Sequence, residues 1–281
     1  MSGRFLRAFI ARAVIACLLV PAGSPPAVAG GTLRVASDVS YAPLEFYRPN
    51  TKQIEGFDYD LAQALGKRLG EAVDFRNHDF ATMIPDLKAG KFDVVVSAMS
   101  DTRARERDVD FIDYLLSGSG ILTKTGNPAH LWDLATLCGH RIDLEKGTSQ
   151  ELAVAHQQGA CKAIGLGAIS VVAAPTDEAA LKAFQTGNSD AHISDYPVVS
   201  YVARTTDNGK AYTVVGHPFG IVPFGIAVAK KNTALRDRVQ KALLDVIRDG
   251  TYDTLLRRWG LEQGALRSAP VNAGTKYERP A

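Results

Sequence analysis

Net charge of either sign is almost missing from this chain. Its 32 lysines and arginines stand against 30 acids, a formal +2. A nucleic-acid partner, which needs a basic footprint, is therefore not expected. Long apolar runs are equally scarce. The clearest, residues 13–20, is about eight residues long, well short of the roughly twenty that cross a bilayer. The six histidines (His78, His130, His140, His156, His192 and His217) form no group with ligand spacing, so no metal is expected. No G-x-S-x-G and no phosphate loop occurs, and Gly165-Leu166-Gly167 is too short for a dinucleotide fingerprint. These absences remove the common signals of catalysis, and no cofactor is expected. Cysteine is rare, with only Cys17, Cys138 and Cys161.

What is present is an ordinary globular composition, 46% apolar and 22% charged, on a length suited to one large domain or two small ones. The start of the chain differs. Arg4, Arg7 and Arg12 precede the apolar run, Pro21 and small residues follow it, and Ala27-Val28-Ala29 is an A-x-A cleavage site. This is the pattern of a cleavable signal peptide over residues 1–29, and it implies a periplasmic protein. Loss of the three arginines takes the formal charge from +2 to −1. Cys17 follows a sequence resembling a lipoprotein box. Too little apolar chain separates it from Arg12, and the run continues past it, so it reads as part of the leader rather than as a lipid anchor. Export leaves Cys138 and Cys161 as an even pair in an oxidising compartment, which favours a disulfide over two buried thiols.

Strand and helix patterns alternate along the remainder. Residues 32–37 alternate like a strand, 59–69 carry Leu61, Leu65 and Leu69 on one helical face, 73–75 form a short strand, and Met83, Ile84 and Leu87 suggest a helix closed at Gly90. An apolar strand follows from Phe92. After residues 118–120 the pattern restarts, with strands at 141–144, 171–174 and 191–194, and helices from 150 and over 178–186. Helices over 234–247 and 252–259 close the chain. Such alternation predicts α/β architecture with mainly parallel strands. Two segments repeat one order of helix, glycine, aspartate, strand and polar exit, ending at Ser97–Ser100 and at Ser194–Asp195, which suggests two related lobes. Residues 265–281 are small, polar and aperiodic, and are expected to form a flexible C-terminal tail.

In α/β sheets ligands bind beyond the carboxyl ends of strands. There this sequence places Asp38 and Tyr41, Ser97 and Ser100, Gly147, Thr148 and Ser149, and Asp195. Thr102 is positioned to cap a helix carrying Arg105 in its first turn. A helix N-terminus, a serine hydroxyl and a bidentate arginine suit a small carboxylate. Asp195, from the other lobe, suits an ammonium. Together they would hold a zwitterion. Plainer roles exist for each: Arg105 as a surface arginine beside Arg103 and Arg107, Asp195 as a helix N-cap, Tyr41 and Phe80 as core aromatics, and Asp38 as a turn cap. His192, within a strand, reads as structural.

Several pieces occur in one order: Asp38-Val39-Ser40-Tyr41-Ala42-Pro43, Gly56-Phe57-Asp58-Tyr59-Asp60-Leu61, Ile84-Pro85-x-Leu87, Ser100-x-Thr102-x-x-Arg105 to Asp110-Phe111, Gly147-Thr148 and Gly250-Thr251-Tyr252-Asp253. This set resembles the family 3 extracellular solute-binding proteins, the polar amino-acid receptors of bacterial ABC importers, over nearly all of residues 31–261. The resemblance implies a periplasmic-binding-protein-like fold of two α/β lobes on a two-segment hinge, closing like a clamshell. It divides the chain into lobe I (30–118 and 219–264) and lobe II (119–218). By the same resemblance, Arg105 would grip the α-carboxylate with Ser100 and backbone amides near Ala98 and Ser149. Asp195 would take the α-ammonium, Tyr41 and Phe80 would sandwich the ligand side chain, and Asp38 would face its far end. The implied partners are an amino-acid ligand and an inner-membrane ABC permease with its ATPase. A monomer is expected.

Related sequences usually carry an uncharged residue at the position of Glu145. If Glu145 faces the cleft, it joins Asp38 and favours a basic side chain, because a buried unpaired charge is costly. If it pairs with Lys146 or Arg141 at the surface, a neutral polar ligand such as glutamine fits as well. Two rival functions share the scaffold. One is a cyclohexadienyl-dehydratase-like enzyme using Glu145 as general acid. The other is a ligand-binding sensor module feeding a separate membrane receptor.

Overall fold

The computed structural model describes residues 30–277. The signal peptide expected over residues 1–29 lies outside them. The chain order begins β1 (Thr32–Ser37), β2 (Ser40–Tyr41), β3 (Glu45–Tyr47), β4 (Ile54–Glu55), α1 (Phe57–Leu69), β5 (Ala72–Asn77), α2 (Met83–Lys88) and β6 (Val94–Val95). A long strand β7 (Val109–Lys124) leads to β8 (Arg141–Glu145), α3 (Ser149–Ala163), β9 (Ser170–Ala174), α4 (Asp177–Gln185), β10 (Ala191–Asp195) and α5 (Tyr196–Thr205). A second long strand, β11 (Tyr212–Ala229), precedes α6 (Thr233–Arg248) and α7 (Thr251–Trp259).

Local sequence explains these elements. In α1, Phe57, Leu61 and Leu65 recur every fourth residue and are buried, Asp58 and Asp60 lie in the first turn, and Lys67 and Arg68 lie in the last. Gly70 ends the helix in the left-handed conformation. The polar–apolar alternation of β1 buries Leu33 and Val35, and the strand pairs in parallel with β5 and β6.

The main sheet has the order β5-β1-β6-β11-β7-β10-β8-β9, and β2-β3-β4 form a small separate sheet. The two long strands occupy the centre of the main sheet, antiparallel to each other. Each threads two cores. Ile112 of β7 and Phe224 of β11 pack with Leu33, Leu61 and Leu243. Further along the same strands, Ile121 and Val215 pack with Ile142, Leu144 and Ile193. The molecule is thus two halves sharing two strands, and their register shifts between Val215 and Gly225. The disulfide Cys138–Cys161, with Cα atoms 5.6 Å apart, ties the last turn of α3 to the turn before β8.

Three expectations need correction. The strand starting at Phe92 is only Val94–Val95. The helix expected after Thr102 is a single 3-10 turn, Arg105–Arg107. Thr102 Oγ1 does accept from the Arg105 amide at 3.3 Å, but the chain re-enters the sheet at Val109 and leaves no length for a second turn. The tail expected to be flexible is packed over residues 265–277. Ala265 and Val271 bridge to Leu115 and Ile112 of β7, and Ala269 and Ala273 are buried. Asn272 Oδ1 accepts from the Phe111 amide at 2.7 Å, and the Gly274 amide donates to Asp101 Oδ2 at 2.8 Å. The residues are small because the approach is close: a Cβ at Gly274 would fall 2.0 Å from the Asp101 carbonyl oxygen. That requirement makes the segment look featureless in sequence.

Candidate functional site

Strand ends from both halves converge on one cavity, about 300 Å³ of atom-free space, part of it open to solvent. The first half supplies Asp38 after β1, Tyr41 on β2, Phe80 ahead of α2, Ala98 and Ser100 after β6, and Arg105. The second supplies Glu145 at the end of β8, Ser149 opening α3, and Asp195 at the end of β10. All nine residues expected from the sequence to contact a ligand line this cavity.

The halves touch directly across it. The Tyr41 hydroxyl donates to Asp195 Oδ2 at 2.7 Å and accepts from Ser194 Oγ at 2.9 Å. The Ser100 and Ser149 hydroxyls lie 3.5 Å apart. The Arg105 guanidinium spans the gap, donating from Nη1 to the Ser100 carbonyl at 3.0 Å and from Nη2 to the Gly147 carbonyl at 3.1 Å. It also sits over the Phe80 ring, 5.3 Å from the centroid. Gly147 has φ of 76°, a conformation that favours glycine, and a Cβ there would fall 3.2 Å from Ala81 of the opposite half.

Burial dominates the electrostatics. It lowers the pKa of Arg105 to about 10, so the guanidinium is still charged at neutral pH. It raises Asp195 to about 7, although Tyr41 and Gln150 Nε2, 2.8 Å from Oδ1, both donate to that carboxylate. Asp195 occupies the N-cap position of α5 but makes no cap bond with its side chain, which turns into the cavity instead. Glu145 is buried, not paired at the surface. Desolvation and the negative charges of Asp38 and Asp177 push it up to about 10. Asp38 is raised by burial as well, and it lines the same cavity as Glu145.

Below the cavity, Ser97 Oγ donates to Glu45 Oε1 at 2.8 Å and accepts from the Asp38 amide at 2.9 Å. The Ala98 amide, expected near the ligand carboxylate, donates at 2.7 Å to the buried Asp58 Oδ2, which also accepts from the Tyr114 hydroxyl at 2.7 Å. Ala98 therefore lines the cavity without offering its own N–H. Its φ of 43° is held by this bond. Burial raises Asp58 to about 6 and holds Glu45, against Asp58, well above the usual carboxylate range.

Ser97 and Thr148, placed at strand ends by the sequence, also line the cavity, as do Glu45 and Gln150, which the sequence did not single out. Gln150 follows the expected Ser149, so the first turn of α3 was the available signal. Glu45 has none, because only the small β2–β3 hairpin brings it beneath the cavity. His192 is structural. It is fully buried, with Nδ1 2.7 Å from Asp143 and Nε2 3.4 Å from Asp177. Burial lowers its pKa, but the two aspartates outweigh that and lift it to about 10.

A sequence profile of the bacterial extracellular solute-binding proteins, family 3, matches residues 33–262. An arginine-binding protein of Corynebacterium glutamicum is 28% identical over 243 residues, 86% of this chain and 78% of that protein. The structure of an ancestral arginine-binding protein bound to arginine matches with a TM-score of 0.74 and 35% identity, covering 82% of this chain and 98% of that one. An ancestral amino acid-binding protein described as a precursor of cyclohexadienyl dehydratase matches with a TM-score of 0.72 and 32% identity, covering 82% and 95%.

Proposed function

The chain belongs to the bacterial extracellular solute-binding proteins, family 3, and from that premise we propose that it is a periplasmic receptor for a polar amino acid, with a basic side chain favoured, that hands its ligand to an ABC importer. One observation carries the reading. A guanidinium from one half and a carboxylate from the other line the same cavity, together with the Asp38–Glu145 pair. In this assignment Arg105, with Ser100 and the Ser149 amide, holds the α-carboxylate. Asp195 takes the α-ammonium, which satisfies a buried acid. Tyr41 and Phe80 flank the side chain, and Asp38 and Glu145 meet its far end. Lobe I comprises residues 30–118 and 219–264 and lobe II residues 119–218, with β7 and β11 as the hinge. The partners are an inner-membrane permease with its ATPase, and the receptor acts as a monomer after removal of residues 1–29. The arginine-binding relatives support a basic ligand.

A second reading has one specific observation behind it. A carboxyl held protonated at neutral pH, as Glu145 is, can serve as a general acid. A dehydratase of the cyclohexadienyl type would use it so. One thermal-shift screen of the protein from residue 30, against the twenty amino acids, ornithine, citrulline and prephenate, tests both readings. Stabilisation by arginine, lysine or ornithine is the expected result. Stabilisation by glutamine alone would keep the receptor and remove the preference for a base. Response to prephenate with turnover, and to no amino acid, would make the protein an enzyme.

A further inference from the structure

We propose that Asp38 and Glu145 form a shared-proton pair that a cationic side chain must discharge, so that capture of a basic amino acid expels a proton and strengthens as pH rises. Capture of a neutral isostere does neither. The inference rests on the receptor reading above and deepens it.

The two carboxyls come from opposite halves, yet each is only 4% exposed and both line the cavity. Among the described residues, Asp38 Oδ2 and Glu145 Oε1 have no hydrogen-bond partner. Two ionised carboxylates facing one buried cavity repel, and a single proton retained by the pair is the less costly state. The surroundings deepen that preference. Asp177 from α4 and Asp195 from β10 add negative charge around Glu145, while Asp79 and Asp177 do so around Asp38; Glu45 lies beneath, its own pKa held high by burial. Tyr41, from β2, presents a neutral phenol. The neighbouring cations are engaged elsewhere. Arg105 donates to the Ser100 and Gly147 carbonyls, and His192 lies between Asp143 and Asp177. The upward shifts of both carboxyls agree with this geometry.

A guanidinium or ammonium entering here supplies the missing charge and the missing donors. Both carboxyls can then ionise, and the proton between them passes to solvent. A neutral ureido or amide group leaves the proton in place. By linkage, each proton released steepens the affinity by up to about tenfold per pH unit. Asp195 titrates nearby and meets the α-ammonium of every amino acid. Its contribution is common to all ligands and cancels between arginine and citrulline, which share a skeleton and differ in one charge.

Calorimetric titration of the protein from residue 30 in phosphate and in Tris, at pH 7.5, counts protons released per ligand. Arginine is expected to release about one more than citrulline, and its affinity to gain up to about tenfold over citrulline per pH unit from 6 to 8. Glu145→Gln is expected to lose both the extra proton and the slope. Should citrulline not bind, this variant is the reference for arginine, and Asp38→Asn replaces it if circular dichroism shows Glu145→Gln unfolded. Equal proton counts with a flat profile would overturn the inference while leaving the receptor intact. Failure of arginine to bind at any pH would remove the basic-ligand reading and the inference together.

Discussion

Tyr41 and Asp195, 154 positions apart in the chain, meet hydroxyl to carboxylate at 2.7 Å and join the two halves across the cavity. The same phenol oxygen receives the Asp195 amide at 3.2 Å. A buried bond to an acid of this kind is worth about 1.5–3 kcal/mol. Tyr41→Phe removes it and keeps the ring. The unliganded variant is expected to open, with a larger radius of gyration in solution scattering than the wild type. Identical unliganded radii would mean that this contact does not hold the halves together.

Arg105 makes the cation of the site and reaches both halves. Truncating one member of a hydrogen-bonded charge pair costs about 2–5 kcal/mol. Arg105→Ala is therefore expected to weaken amino-acid binding by roughly thirtyfold or more, measured by calorimetry. Unchanged affinity would remove the carboxylate seat.

Stability should fall as the solution becomes alkaline. Burial raises Asp58 to about 6, Asp195 and Asp113 to about 7 and Asp101 to about 8. Such acids hold more protons folded than unfolded, so their contribution is present at low pH and is lost as pH climbs through those values. His192, lifted to about 10, adds a contribution present below its unfolded pKa and lost as pH climbs through about 10. Asp93 and Asp110, both lowered, act oppositely, but only as pH falls toward the unfolded carboxylate range near 4. The melting temperature of unliganded protein is expected to be lower at pH 9 than at pH 5. A flat or rising profile would contradict this account of the buried acids.

The C-terminal segment is expected to be structural. Ending the chain after Gly264 strips the Gly274 and Ala273 amides from Asp101 and Asp113 and uncovers β7. Urea unfolding should register a loss of about 2 kcal/mol or more. Wild-type stability in the shortened protein would return this segment to the status of a loose tail.

Reducing Cys138–Cys161 frees a short loop within the second half. The chain-entropy relation gives about 3 kcal/mol for a loop of this size. The urea midpoint should fall on reduction, with amino-acid binding retained where the protein stays folded.

Much of the cavity lining was legible because it is built at strand ends, and strand ends are marked by a change from apolar to polar residues. Asp38, Ser100 and Asp195 follow this rule. Residues placed by long-range packing were not legible. Glu45 is carried under the cavity by a hairpin of two- and three-residue strands, too short to leave a periodic signature. The long strands β7 and β11 also escaped the sequence pattern. Gly118, Gly120, Gly216, Gly220 and Pro218 punctuate them, and punctuation ordinarily marks loops. Here it falls where the strands shift register on passing from one core to the other.

The anchoring of Arg105 has a consequence for heredity. Its guanidinium is held by two main-chain carbonyls, those of Ser100 and Gly147, and the carbonyl at Ser100 survives a codon change there. Asp38 and Glu145 are different, because a single nucleotide change turns either into its amide. The acceptor at Ser100 is thus indifferent to its own side chain, whereas the acidic end can lose a charge by one base change. A lineage built on this scaffold can alter the charge at that end of the cavity in one step while the Ser100 carbonyl continues to hold Arg105.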